Sequence, residues 1–182
     1  MITVTGAGGK TGQAVIRALA RRGARVRALV HRAEQAAAVM AMGAGEAVAG
    51  DMRDIGTLER ALDGARSAYH ICPNVHPEEL GIGGTVIEAA RRAGIRHLVY
   101  HSVLHPQVEA MPHHWQKMRV EEQLFAAGLP YTILQPAAYM QNVLAHRERM
   151  LNEGVYPVPY AVETRLGMVD LEDVAEAAAA VL

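Results

Sequence analysis

The sequence predicts a single α/β domain, residues 1–182, in which a parallel sheet of about six strands is covered by helices on both faces. Two observations predict it. Helical runs that end at a glycine alternate with short apolar runs rich in β-branched residues, and no linker or charged block interrupts them. The first strand also turns directly through three glycines into the first helix. A chain of 182 residues can bury one substantial core.

The elements follow in order from these patterns. Ile2 and Val4 alternate as in a short buried strand, and Val15, Ile16 and Leu19 then lie at helical spacing. Later helical runs end at glycines suited to a left-handed C-cap, namely Gly23, Gly43, Gly64, Gly94 and Gly128. The six predicted strands are Ile2–Thr5, Arg25–Val30, Glu46–Gly50, Ser67–Ile71, His97–Val103 and Tyr131–Gln135.

Charge and composition exclude several classes of partner. The formal net charge is −1, so no electrostatic case exists for nucleic acid. The one cysteine, Cys72, rules out an internal disulfide framework and suits a reducing compartment. No basic-then-apolar leader and no apolar run of membrane-spanning length precedes the first strand or follows it. We therefore expect a soluble, cytoplasmic protein with no membrane partner, and the sequence leaves its oligomeric state open.

The glycine turn after the first strand is the strongest candidate binding site. Gly6, Gly9 and Gly12 permit a tight turn, and the backbone N–H groups at the start of the next helix then point at one spot. Such a spot favours a phosphate. A nucleoside triphosphatase loop is an alternative, because Gly9-Lys10-Thr11 reads G-K-T, but the required earlier glycine is Val4 here. A purely structural glycine turn is the other alternative.

Residues just after the other strands are the next candidates, since ligands of such sheets bind beyond the carboxyl ends of the strands. Arg32 follows the second strand, where an NAD site would carry an acidic residue. A guanidinium suits a 2′-phosphate, so the sequence predicts NADPH in preference to NADH. An ordinary solvated surface arginine is the alternative.

The residues after the third and fourth strands are further candidates for contact with a ligand. Asp51 and Met52 can contact the amine and the ring of an adenine, although Asp51 can instead cap the next helix, for which Asp54 is the better candidate. Pro73 would lie beside the middle of a dinucleotide. Cys72 invites comparison with redox sensors, but a lone cysteine at the end of an apolar strand is more often buried and inert.

The fifth and sixth strands lead to the candidate chemistry. His113 and Lys117 are four residues apart and share one helix face, which we expect to approach Ser102 in the same cleft. Pro136 and the small residues after it let a ring lie close to the backbone. The histidine pairs lack the spacing and the partner ligands of a metal site, so no metal is expected.

Five blocks of sequence resemble the NmrA-like, atypical short-chain dehydrogenase/reductase family. They are TGAGGKTG, VRALVHR, AGDMRD, AARRAGIRHLVYHS and VEEQLFAAGLPYTILQPAAYMQN, in the family's order. The resemblance implies a three-layer Rossmann fold of strand order 3-2-1-4-5-6 with an NAD(P) site across the ends of the first, second and fourth strands. It also implies that Gly6, Gly9, Lys10, Thr11 and Gly12 bind the pyrophosphate and that Arg32 contacts the 2′-phosphate. By the same resemblance, Asp51 and Met52 contact the adenine, and Lys117 lies near the nicotinamide ribose.

The chain departs from this family in two ways. Short-chain reductases of the typical kind carry a tyrosine four residues before the lysine, whereas this chain has His113, which can also donate a proton near pH 7. The family usually continues into a small substrate-covering lobe, whereas this sequence stops at Leu182 inside a predicted helix. A truncated lobe, an open cleft and cover by a partner chain all stay open.

The leading hypothesis is an NADPH-dependent oxidoreductase acting on a small quinone- or azo-type acceptor. Lys117 would hold the nicotinamide ribose, and His113 or His114 would assist protonation. Tyr139, Met140 and Asn142 would line the acceptor side, although helix packing would also explain Met140, and capping or solvent contact would explain Asn142. The alternative is a non-catalytic NADP(H)-binding redox sensor with a regulatory protein partner. A bare nucleotide-binding fragment is a third interpretation.

Overall fold

The structure, a computed structural model, describes residues 1–182 as eight strands and seven α-helices. The strands are β1 (Ile2–Val4), β2 (Val26–Val30), β3 (Glu46–Ala49), β4 (Ser67–His70), β5 (His97–His101), β6 (Tyr131–Leu134), β7 (Ala138–Tyr139) and β8 (Met168–Val169). The helices are α1 (Lys10–Arg21), α2 (Ala36–Ala41), α3 (Ile55–Leu62), α4 (Glu79–Arg92), α5 (Pro112–Ala126), α6 (Arg147–Glu153) and α7 (Leu171–Val181). Short 3-10 segments cover Ala33–Gln35 and Met140–His146.

Six strands form one parallel sheet of order β3-β2-β1-β4-β5-β6, as predicted. Val4 pairs in register with Ala28 of β2 on one side and with Tyr69 of β4 on the other. The chain therefore leaves β1 in one direction to build β2 and β3, and crosses back over β1 to build β4. The connections that follow β1 and β4 therefore run in opposite directions along the sheet. They leave a crevice between them at the carboxyl ends of the strands.

Helices cover both faces of this sheet and divide the core in two. One apolar cluster packs α1, α2 and α7 against the sheet and includes Val15, Leu19, Val39 and Ala175. The other packs α3, α4 and α5 on the opposite face. Central strands are buried on both sides, which is why β4 and β5 show no polar–apolar alternation.

Local signals place the helix ends where the sequence predicts them. All five of the glycines expected to end helices have positive φ, between 63° and 107°. Asp54 caps α3 by accepting hydrogen bonds from the N–H groups of Gly56 (3.1 Å) and Thr57 (3.0 Å). Asp54 is thus the N-cap of α3, and Asp51 is left beside the crevice.

A second sheet of two strands was not predicted. Ala138 and Tyr139 of β7 pair in parallel with Met168 and Val169 of β8. Strands of two residues carry no periodic pattern, so the sequence offers no signal for them. This pairing fixes the backbone of Tyr139 above the carboxyl end of β6. No helix of the structure is both long and apolar enough to cross a membrane.

Candidate functional site

A cavity of about 690 Å³ opens at the carboxyl ends of the parallel strands. Its wall contains residues that follow each of β1 to β6, so it runs across the crevice where the connections diverge. The predicted site residues in its wall are Gly6, Gly9, Lys10, Thr11, Gly12, Asp51, Met52, Pro73, Ser102, His113, Lys117, Pro136, Tyr139 and Asn142. The fold therefore brings together residues that are up to 136 positions apart in the chain.

The glycine turn follows β1, inside the sheet, and lines the cavity between the residues after β2 and those after β4. Close backbone contacts require glycine at two of its positions. Gly6 has φ of +57°, and a Cβ there would lie 2.5 Å from the carbonyl oxygen of Ile71. A Cβ on Gly12 would lie 2.5 Å from the carbonyl oxygen of Gly6 and 2.7 Å from Cα of Ala7. Helix α1 begins after Gly9, and its first internal bond runs from Gln13 N–H to Gly9 C=O. The three preceding amides are free to bind an anion at the positive end of the helix dipole.

Two side chains of this turn contact the loop after β6. Lys10 Nζ donates a 2.6 Å hydrogen bond to Oδ1 of Asn142 and lies 5.4 Å from the ring centroid of Tyr139. Thr11 Oγ1 donates to Tyr139 Oη at 3.3 Å. These contacts join the glycine turn to the side of the cavity that the sequence assigns to an acceptor.

The end of β2 differs in detail from the prediction. His31 and Gln35 line the cavity, whereas Arg32 is exposed and its side chain is not part of the wall. Gln35 accepts a 3.0 Å hydrogen bond from the backbone N–H of Arg32 through Oε1, and its amide lies against Gly8. The role of Arg32 stays a prediction, and the sequence analysis missed Gln35.

Asp51, after β3, is engaged by a neighbour. Arg53 Nη2 lies 2.6 Å from Oδ2 of Asp51, and its Nη1 lies 3.0 Å from Oε2 of Glu78. Hydrogen bonds from Arg53 lower the pKa of Asp51 to about 2. The carboxylate is therefore ionised and acceptor-only, which suits an amine donor. After β4, Cys72 is 4% exposed, and burial raises its thiol pKa to about 12.

Lys117, on α5, is held by two buried acceptors. Its Nζ lies 2.5 Å from Oε1 of Glu79 and 3.3 Å from the carbonyl oxygen of His101. Glu79 is the first residue of α4 and is only 1% exposed. Tyr100 Oη donates to the same oxygen of Glu79 at 3.0 Å. The sequence analysis missed Glu79, because a glutamate in the first turn of a helix ordinarily faces solvent.

Ser102 has a buried acidic partner as well. Its hydroxyl donates a hydrogen bond to Oε1 of Glu121, and the side-chain amide of Gln135 donates to both carboxylate oxygens, at 3.0 and 3.1 Å. With its one proton directed at Glu121, the hydroxyl of Ser102 can accept but not donate a hydrogen bond towards the cavity.

A neutral histidine connects Tyr139 with the core. Burial and the nearby charge of Lys117 lower the pKa of His101 to about 3. Its Nε2 lies 2.7 Å from Tyr139 Oη, and its Nδ1 bonds the hydroxyl of Tyr69. Since Thr11 donates to Tyr139 Oη, a consistent arrangement has Tyr139 donating to Nε2 and Nδ1–H donating to Tyr69. His101 therefore fixes the direction of the Tyr139 hydroxyl.

Of the two adjacent histidines on α5, His113 faces the cavity. His114 Nδ1 instead donates to the carbonyl oxygen of His105 at 3.0 Å. Burial, together with the neighbouring His114 and Lys117, lowers the pKa of His113 below its usual value. No group of three or more His, Cys, Asp or Glu side chains is arranged to hold a metal ion.

One signal in the sequence marks the site strongly. The chain contains only two lysines among its 18 basic residues, Lys10 and Lys117, and both line this cavity. Every other basic residue among these 18 is an arginine, and half of the arginines form exposed ion pairs, such as Arg21 with Glu176. An ammonium in place of a guanidinium at these two positions therefore distinguishes the site from the rest of the surface.

The strand order, the glycine turn and the crevice define a Rossmann-type α/β protein. The chain belongs to the NmrA-like family, whose family model matches residues 1–182.

Similar proteins include reductases that use nicotinamide cofactors. The NAD(P)H azoreductase of Xenophilus azovorans is 29% identical over 98% of this chain and 62% of its own length. Among solved structures, an NADPH-dependent quinone oxidoreductase of Escherichia coli complexed with NADPH has a TM-score of 0.87 and 29% identity, covering 100% of this chain and 64% of that one. The triphenylmethane reductase of a Citrobacter species complexed with NADP(H) has a TM-score of 0.86 and 26% identity, covering 100% and 65%. This chain thus spans less than two thirds of each of these proteins.

Proposed function

We propose that the chain binds NADP(H) across the crevice and acts as an NADPH-dependent oxidoreductase on a small quinone- or azo-type acceptor. The observation that carries the proposal is the continuity of one cavity from Asp51, past the glycine turn, to Lys117. The turn lies between these two residues because β1 lies inside the sheet, as expected for the pyrophosphate that joins two nucleotides. The cofactors of the similar quinone and triphenylmethane reductases support the same assignment.

The glycine turn fits the pyrophosphate of such a cofactor. The contacts at Gly6 and Gly12 keep Cβ atoms out of the turn, so the backbone can approach phosphate oxygens closely. The free amides of α1 would bind these oxygens, and Lys10 would add a positive charge. Thr11 and Gly9 complete the cradle. Pro73 and Pro136 would flank the middle and the nicotinamide end of the cofactor.

We propose NADPH in preference to NADH because neither of the two residues directly after β2 carries a carboxylate. His31 lies in the cavity wall and Arg32 lies next to it on the exposed rim, where its long side chain can reach a 2′-phosphate. Asp51 would accept from the exocyclic amine of the adenine, with Met52 against the ring. A carboxylate at the end of β2 would instead bind the ribose hydroxyls of NADH.

The chemistry would take place at the opposite end of the cavity. When bound, the cofactor supplies a hydride, and the protein positions it and polarises the acceptor. Lys117 would bind the nicotinamide ribose, and the hydroxyl of Ser102 would accept a hydrogen bond from the ligand at the same end of the cavity. His113, which faces the cavity, would donate the proton that completes reduction of the acceptor. Tyr139 and Asn142 would line the acceptor side.

The first experiment measures NADPH oxidation with a panel of quinones and azo dyes. We expect turnover by the wild-type chain and at least a tenfold loss in the Lys117→Met variant. Arg119→Met, an exposed position on the same helix, is the matched control and should retain activity. Tight NADPH binding without turnover on any acceptor would replace the proposed enzyme by a cofactor-binding sensor. Absence of NADPH binding would overturn the proposal entirely.

The cofactor preference has a separate test. We expect the Arg32→Ala variant to lose at least fivefold in NADPH affinity while its NADH affinity stays unchanged, since only the 2′-phosphate is lost as a partner. Arg25→Ala, exposed at the opposite end of β2, should change neither affinity. Calorimetric titration with both cofactors measures the effect, and an unchanged NADPH preference in Arg32→Ala would disprove the role of Arg32.

A further inference from the structure

The pair formed by Lys117 and Glu79 has features that fold stability does not explain. Lys117 is 9% exposed and Glu79 is 1% exposed, so both charges are removed from water. Burying such a pair is costly, and apolar residues of similar volume often replace one without loss of stability. The pair is also imperfect, because Oε2 of Glu79 is buried without a hydrogen-bond partner. An unpaired carboxylate oxygen beside a lysine indicates a functional constraint.

The hydrogen bonds of Lys117 leave one direction open. An ammonium carries three N–H donors. One points to Glu79 Oε1 at 2.5 Å and a second to the carbonyl oxygen of His101 at 3.3 Å. Glu79 lies behind the wall, whereas Lys117 and His101 themselves line the cavity. The third N–H is therefore available to whatever occupies the cavity at this end.

The carboxylate of Glu79 is itself held in place. Tyr100 Oη donates to Oε1 of Glu79 at 3.0 Å, and burial together with the charge of Glu79 raises the pKa of Tyr100, so this phenol stays a donor. The ring of Tyr100 lies 5.6 Å from Lys117 Nζ and adds an attraction between cation and π-system. A rotation of Lys117 away from Glu79 would break the ion pair and this contact with the ring.

We propose that Glu79 is a positioning residue that keeps Lys117 as an ammonium and directs its remaining N–H into the cavity. Lys117 then acts as a fixed cation and hydrogen-bond donor, and not as a base. The ligand group that it suits is a neutral hydroxyl or carbonyl oxygen, or an oxygen that gains negative charge during reduction. This inference rests on the proposed function for the identity of the ligand, but the geometry of the pair can be tested without it.

The two-lysine composition makes a direct test possible. Selective labelling with ¹³C-lysine gives one set of side-chain signals for Lys10 and one for Lys117, which Lys117→Met assigns. The other titratable groups that face Lys117 are Cys72 after β4, His70 on β4, Tyr100 and His101 on β5, and His113 on its own helix. We expect the titration midpoint of Lys117 to fall by at least one pH unit in Glu79→Gln and to stay unchanged in Glu88→Gln, an exposed position on α4.

A binding measurement then separates positioning from a merely structural role. In Glu79→Gln, NADPH affinity should be at least tenfold weaker above the new midpoint of Lys117 and should recover below it, where the lysine regains its proton. Glu79→Asp keeps the charge but moves it back by one methylene. It should therefore weaken binding without this pH dependence, and it carries the test if Glu79→Gln does not fold.

Two results would overturn the inference. One is a Lys117 midpoint that is the same in Glu79→Gln and in the wild-type chain. The other is a loss of NADPH affinity in Glu79→Gln that is equal at every pH. If the wild-type chain binds no NADPH, the proposed function fails, whereas the lysine titration still decides whether Glu79 sets the charge of Lys117.

Discussion

Lys10 and Asn142 are 132 positions apart in the chain, yet Nζ of Lys10 donates a 2.6 Å hydrogen bond to Oδ1 of Asn142. Both residues line the cavity, and the bond joins the glycine turn to the 3-10 segment after β7. Its exposure limits its contribution to roughly 0–1 kcal/mol. A phosphate placed at the glycine turn would compete with Asn142 for the same ammonium.

This competition predicts opposite effects of two substitutions on NADPH affinity. Lys10→Met should weaken binding by about tenfold, because it removes a cation from the glycine turn, where the pyrophosphate would bind. Asn142→Ala should leave affinity unchanged or strengthen it up to about fivefold, because Lys10 no longer has a competing partner. Calorimetric titration measures both. Equal weakening by the two substitutions would show that the bond does not compete with the cofactor.

The glycine turn predicts a severe effect of one added methyl group. Gly12→Ala would place Cβ 2.5 Å from a backbone oxygen, which cannot move without distorting the turn. We expect a loss of stability of about 2 kcal/mol and a loss of NADPH binding of at least a hundredfold. Gly81→Ala is the matched control. It lies within α4 with nothing within 4 Å of the added Cβ, so it should stabilise the chain by about 0.5–1 kcal/mol. Urea unfolding and calorimetry compare the two variants.

Two buried histidines predict a loss of stability in mild acid. Burial lowers the pKa of His70 and of His101 to about 3, whereas in the unfolded chain a histidine titrates near pH 6.5. Below that pH the unfolded state takes up protons that the folded state does not. The stability due to these groups is therefore complete above about pH 6.5 and falls progressively as the pH drops towards 3.

The expected size of the effect is about 1.4 kcal/mol for each histidine between pH 7.5 and pH 5.5. Carboxylates with lowered pKa contribute only below about pH 4.5, so this window isolates the histidines. Urea unfolding at both pH values measures the difference. His70→Gln should reduce the pH-dependent part by about 1.4 kcal/mol. A free energy of unfolding that is flat across the window would contradict the buried, neutral state.

Cys72 is expected to be unreactive in the folded chain. Its thiol is 4% exposed and burial raises its pKa to about 12, so only about one molecule in ten thousand carries the thiolate at pH 8. Alkylation by iodoacetamide should be at least a hundredfold slower in the native chain than in 6 M guanidinium, measured by mass spectrometry. Rapid alkylation of the native chain would revive a redox role for this residue.

Much of the fold follows from local signals. The helix-ending glycines, the Asp54 cap and the alternation of helices with apolar runs each depend on a few neighbouring residues, so the sequence alone predicts them. Right-handed crossover connections then limit how such units can be arranged in a parallel sheet. The glycine turn is predicted for the same reason, because its backbone conformation depends on residues 6 to 12 alone.

The sequence by itself thus determined the layered α/β architecture, the phosphate-suited turn and the candidate residues at the strand ends. Only the tertiary structure decided that Glu79 lies behind Lys117, that His101 orients Tyr139, and that Gln35 and not Arg32 forms part of the wall. The physical reason is that a helix or strand end is specified by backbone conformation and spacing within a few residues. The partner of a buried polar group is instead specified by the packing of separate elements, which leaves no periodic trace in the sequence.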